Sequence, residues 1–105
     1  TCVIQLGGPG LDHWNVDELS VITNMTVEGG LMTGIVEPNK PLKDFLANRR
    51  PGVDLDALWV EPDPDAEYVR TIEIDLAEVP LTVATPGDSR NRLRLGDVGE
   101  VAIHN

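Results

Sequence analysis

The sequence predicts an α/β fold, a small mixed sheet with two main helices, and three observations predict it. Apolar residues at three-residue steps from Val16 to Met25 lie between two apolar, β-branched runs, 1–6 and 31–36, so strand, helix and strand follow one another. Two asparagines, Asn15 and Asn39, stand where helix N-caps belong, and glycine or proline follows each helical stretch. Residues 68–76 alternate, with Tyr68, Arg70, Ile72, Ile74 and Leu76 on one face and Val69, Thr71, Glu73 and Asp75 on the other.

Residues 1–6 (TCVIQL) read as the first strand, ended by Gly7, Gly8, Pro9 and Gly10, which suit a tight turn. Cys2 reads as a small buried hydrophobe of that strand. Trp14 precedes the N-cap, where a hydrophobic staple forms, and Glu18 completes a capping box with Asn15. Val16, Leu19, Ile22 and Met25 make the buried stripe, and Gly29-Gly30 supply a left-handed stop, giving a helix of about thirteen residues. Asn24 and Glu28 then project from one face at its C-terminal end. A carboxylate there opposes the helix dipole. Glu28 therefore either points into water or faces a cation or a proton-transfer site.

Residues 31–36 (LMTGIV) read as a buried strand in which Gly34 marks close backbone approach. The second helix, 40–48, has Pro41 in its first turn and Leu42, Phe45 and Leu46 on its inner face. Arg49 and Arg50 complement its dipole, and Pro51-Gly52 closes it. Residues 53–66 form an acidic, proline-bearing loop or short helix. Its aspartates lack the spacing of a calcium loop and read as a solvated surface. Pro80 interrupts the next pattern, 81–84 resumes it, and Thr85-Pro86-Gly87-Asp88 turns the chain. Arg90, Arg92 and Arg94 gather in a chain that is otherwise acidic, suited to surface ion pairs or to carboxylates of a partner or substrate. Residues 99–103 start a last strand.

Composition limits what such a chain does. Its 105 residues suit one small domain with a real core. Eight Lys and Arg against 18 Asp and Glu give a net charge of -10, which repels nucleic acid and anionic membrane. No apolar run approaches the roughly eighteen residues that span a bilayer, and no secretory signal is visible, so cytoplasm is the expected compartment. A single cysteine excludes an internal disulfide and cannot alone hold zinc or an iron-sulfur centre. His13 and His104 share no ligand spacing, and no Ser/His/Asp or Cys/His set supports nucleophilic catalysis.

Asn24-Met25-Thr26-Val27-Glu28, then a small-residue turn, then Thr33-Gly34-Ile35-Val36-Glu37-Pro38, resembles the signature helix of the aconitase superfamily. The resemblance is greatest to the large subunits of isopropylmalate isomerases and homoaconitases. Gly8-Pro9-Gly10 with Asn15-Val16-Asp17-Glu18 upstream, and residues 68–76 (YVRTIEIDL) and 83–91 (VATPGDSRN) downstream, are similar to further family segments in the same order. Gly30 stands where many relatives have alanine and Asn39 where many have aspartate, both mild changes at helix caps.

The resemblance implies part of an iron-sulfur hydro-lyase. Such an enzyme moves a hydroxyl between adjacent carbons of a hydroxy polycarboxylate by dehydration and rehydration, and isopropylmalate is the first expectation. It implies a [4Fe-4S] cluster in the complete enzyme, whose free iron acts as Lewis acid. The cluster cysteines are expected beyond Asn105, so this chain alone is expected to bind no cluster and to be inactive. Glu28 matches the family glutamate beside that iron and its bound water. Asn24 matches an asparagine near the cluster that tunes it by hydrogen bonding. The serine base and the arginines that clamp the substrate are expected outside this sequence. The implied partners are the remaining domains of the large subunit, a small swivelling subunit or domain, and the hydroxy acid. The abrupt start at a strand leads to the expectation that 1–105 is a single aconitase-like α/β domain, a fragment of a longer chain or one piece of a split enzyme. The other reading is an acidic accessory or interaction domain that kept the fold and lost the chemistry.

Overall fold

In the computed structural model, which describes residues 2–102, β1 (Val3–Leu6), α1 (Val16–Asn24), β2 (Thr33–Val36) and α2 (Lys40–Arg49) follow in order. β1 and β2 pair in parallel, with Ile4 opposite Gly34 and Leu6 opposite Val36. Parallel neighbours need a crossover, which α1 supplies. α1 therefore runs back along the sheet and ends near the amino ends of both strands. Ile4, Leu6, Gly34 and Val36 share the half-buried face, whereas Val3, Thr33 and Ile35 on the other face are exposed.

Both helices start where their caps place them. The Asn15 side chain accepts from the Glu18 N–H at 3.0 Å, and the Glu18 carboxylate accepts from the Asn15 N–H at 2.8 Å, a complete capping box. Asn39 does more than cap. Its Oδ1 accepts from the Leu42 N–H at 2.9 Å, while its amide donates to the carbonyls of Leu11 (2.9 Å) and Trp14 (3.3 Å). Leu19, 5% exposed, is the buried residue of the α1 stripe; Val16 and Ile22 flank it half-buried, and Met25 is exposed.

α2 leads to a four-residue helix, α3 (Leu55–Leu58), capped by Asp54. Lys43 of α2 pairs with Asp56, and its ammonium lies 5.4 Å from the centre of the Trp59 ring. The chain divides into two compact units, Thr1–Glu73 and Ile74–Asn105. The second holds an antiparallel hairpin of β3 (Thr82–Ala84) and β4 (Arg92–Arg94), with Val83 opposite Leu93. Its loop turns at Gly87 (φ 108°) and is braced by Arg90, which donates to Asp88 through Nε (3.0 Å) and through a terminal nitrogen (2.7 Å). That guanidinium holds the Asp88 carboxyl below the usual carboxylate range, helped by the Arg90 backbone N–H.

The α/β class and the two main helices are as the sequence predicts, with the parallel and antiparallel pairs in two separate two-stranded sheets. Several local expectations are corrected. α1 has nine residues and stops at Asn24. α2 runs one residue further than expected, to Arg49, and its Phe45 is 37% exposed beneath the Arg49 guanidinium, 5.0 Å from the ring centre. Cys2 is exposed and precedes β1. Residues 68–76 form no strand: Val69 sits at a bend, Leu76 opens a short 3-10 turn (Leu76–Glu78), and no described strand pairs with the segment. Residues 99–102 are likewise irregular, and Ile103 and His104 lie outside the described residues.

Candidate functional site

Asn24 and Glu28 are the residues that the sequence puts forward, and the structure places them on different pieces of chain. Asn24 is the last residue of α1. Glu28 lies in the turns of residues 25–30. The expected single helical face is therefore not what presents them.

The reason lies in the hydroxyls of the last turn of α1. Thr23 Oγ1 donates to the carbonyls of Leu19 and Ser20, each at 3.1 Å, and Thr26 Oγ1 donates to the Thr23 carbonyl at 2.7 Å. Threonines that bond back to helix carbonyls compete with the helix ladder and bend it. After Met25 the chain makes one further turn. The Gly30 N–H reaches the Val27 carbonyl (2.9 Å) and the Leu31 N–H reaches the Thr26 carbonyl (3.2 Å). This is the Schellman pattern of bonds, and Gly30, at φ 83°, holds its left-handed position. The predicted glycine stop is thus present, but it closes the turn that carries Glu28 instead of α1 itself.

Thr26 locks this turn onto the sheet. It is 8% exposed, the buried polar residue among those described. A Cβ placed on Gly34 would sit 2.6 Å from the Thr26 methyl and 3.4 Å from the Thr23 Cα, so β2 lacks a side chain where the turn presses on it. Gly34 thus bears out the close approach expected of it. Thr26 is the positioning residue that the sequence reading passed over, and the only signal for it was a glycine eight positions later.

Asn24 and Glu28 are both exposed, and neither side chain makes a hydrogen bond or ion pair among the described residues. Their donor, acceptor and charge are therefore free for another molecule or another part of a larger protein. The apolar groove between α1 and α2, lined by Val16, Leu19, Thr23, Val36 and Leu42, includes neither of them. Of the remaining candidates, His13 is exposed, Arg49 stacks on Phe45, and Arg90 is occupied by Asp88. Arg92 and Arg94 share an exposed face of β4.

Among the described residues no group of three or more His, Cys, Asp or Glu converges to hold a metal ion. With one cysteine in the sequence, this donor set does not fit an iron-sulfur cluster, which takes several thiolates. No helix of the described residues is long and apolar enough to cross a membrane.

The chain is similar to proteins of one family along nearly its whole length. The model of the aconitase family (aconitate hydratase) matches residues 1–104. A 3-isopropylmalate dehydratase large subunit from Clostridium kluyveri is 35% identical over 103 residues, covering 95% of this chain and 23% of that protein. The corresponding large subunit of Acetivibrio thermocellus is 32% identical over the same coverage. Aconitase htyD of Aspergillus rugulosus is 37% identical over 83 residues, 78% of this chain and 10% of that protein. The chain thus spans less than a quarter of the length of these relatives. No solved structure matches it significantly. With one family model covering residues 1–104 and a relative 35% identical over 95% of this chain, the chain belongs to the aconitase family.

Proposed function

We propose that residues 1–105 are one α/β portion of a longer iron-sulfur hydro-lyase that isomerises a hydroxy polycarboxylate by dehydration and rehydration, with an isopropylmalate-type acid as the first substrate to test. The observation that carries this reading is the exposed Asn24 at the end of α1 and the exposed Glu28 on the locked turn that follows it, in a chain of the aconitase family. Glu28 exchanges a proton with the oxygen that leaves and returns, and a positioned carboxylate of this kind contributes about 10²- to 10⁴-fold to rate. Asn24 donates a hydrogen bond toward the cofactor and so tunes it. The cluster's own ligands fall to residues outside 1–105, as do the groups that clamp the substrate.

The placement supports a site completed from outside. The crossover brings Asn24, the last residue of α1, toward the amino ends of β1 and β2, whereas open α/β sheets bind ligands at the carboxyl ends of their strands. We take another portion of the protein to face this edge. In this reading the remainder of the large subunit and a small subunit are the partners, cytoplasm is the compartment and amino-acid biosynthesis is the process.

The test uses the complete protein, purified anaerobically and assayed on a panel of hydroxy polycarboxylates. Turnover together with iron-sulfur absorbance is the expected result. Absence of both would overturn the reading in favour of an accessory domain that kept the fold.

A further inference from the structure

Thr26 stands two residues before Glu28 and is buried, and its polar groups are used within the turn. Its N–H (3.3 Å) and its hydroxyl (2.7 Å) both donate to the Thr23 carbonyl, and its own carbonyl accepts from the Leu31 N–H at 3.2 Å. A residue so enclosed offers no donor to a substrate. What it can do is fix the backbone that carries Glu28.

The two branches at its Cβ act together. A Cβ built on Gly34 would lie 2.6 Å from the Thr26 methyl and 3.2 Å from its Oγ1, so the Thr26 side chain occupies space that any other residue at 34 would need. Threonine turns about one torsion, χ1, and its branched Cβ leaves that torsion few settings. The setting that gives the hydroxyl to the Thr23 carbonyl is the one that seats the methyl on β2. One torsion thus ties the end of α1 to the sheet. On the far side of Glu28, the Gly30 N–H bonds to the Val27 carbonyl at 2.9 Å, with Gly30 at φ 83°. Glu28 is therefore carried between two fixed points, Thr26 and Gly30.

We propose that Thr26 is a positioning residue for Glu28, acting on proton transfer through that single torsion. This rests on the reading that Glu28 exchanges a proton in a hydro-lyase. A carboxylate moves a proton only within hydrogen-bond reach of it. A displacement of about 1 Å is enough to lower a rate by about 10²-fold. Valine at 26 keeps the branched shape and gives the Thr23 carbonyl no hydroxyl proton. Serine keeps the hydroxyl and loses the methyl that rests on Gly34.

The experiment is a double-mutant cycle on the complete protein, assayed on the hydroxy polycarboxylate that the panel above identifies. Thr26→Val, Glu28→Gln and the two together are compared for kcat, KM and cluster absorbance. Expected for Thr26→Val is a kcat lowered by about 10-fold or more, with KM and absorbance little changed and no further loss when Glu28→Gln is already present. An equal loss in both backgrounds overturns the proposal, because Thr26 then supports the fold and does not act through Glu28. A low kcat in Glu28→Gln beside an unchanged kcat in Thr26→Val overturns it too, and leaves the role of Glu28 standing. Full turnover in Glu28→Gln overturns that role and this proposal together. If Thr26→Val does not yield folded protein, Thr26→Ser enters the same cycle with the same outcomes.

Discussion

The turn around Thr26 and the stretch 67–74 both carry exposed residues, and they are held in opposite ways. Around Thr26 the chain is fixed by a hydroxyl on the Thr23 carbonyl, by the Gly30 and Leu31 amides, and by the absent side chain at Gly34. Along 67–74 the Tyr68 hydroxyl is the one side-chain hydrogen bond among the described residues. The first region finds its partner in the next strand along the chain, within one βαβ crossover. The second has no described strand to pair with. Rigidity here follows from where the partner lies, and far less from the strength of the local pattern.

The comparison can be broken most forcefully at Glu28. If the locked turn exists to present that carboxylate, Glu28→Gln in the complete enzyme lowers turnover by about 10²- to 10⁴-fold. The cluster absorbance should stay largely intact; unchanged turnover removes Glu28 from the mechanism. The lock itself is tested by Gly34→Ala, whose new methyl must displace the Thr26 methyl. A destabilisation of about 1–3 kcal/mol in urea unfolding is expected, as for other overpacked sites. A neutral result would mean that the turn lifts off β2 freely. At the other end of α1, Asn15→Ala removes one half of the capping box and should lower stability by about 1 kcal/mol.

Smaller effects sharpen the contrast. Val69→Thr in the 105-residue chain should change urea stability by less than about 0.5 kcal/mol, since nothing described covers Val69. A clear loss would show packing there without any outside partner. The smallest effect concerns the hairpin loop. The folded carboxyl of Asp88 titrates below its ordinary value of 3.8, so its contribution is present above that value. It is lost as pH falls through the lowered folded value. Amide NMR shifts of residues 85–91 should therefore move at a lower pH than those beside an ordinary exposed aspartate.

The sequence made the caps legible, because a cap is decided by residues within one turn of each other. Asn15 with Glu18 and the left-handed Gly30 could be named in advance, and so could the close approach at Gly34. The end of α1 could not, because it depends on Thr23 and Thr26 turning their hydroxyls back onto the helix, and a helical pattern that includes threonine looks the same either way. The strand at 68–76 was misread for the complementary reason: alternation states what a segment can do and is silent on whether a neighbour is there. Asn24 and Glu28 are put forward by their motif alone. Thr26, which holds the turn between them, is visible only in the contact that Gly34 leaves open.

The side chain of Asn39 has a consequence for anyone who wishes to cut or extend this chain. One amide spans the Leu11 and Trp14 carbonyls while its oxygen starts α2, so the two helix entrances cannot be lengthened separately. A peptide tag inserted between Leu11 and Trp14 would pull apart acceptors that a single residue holds together, and would disturb α2 although placed before α1. The exposed acidic stretch 61–66 has no such clasp and is the better place for an insertion.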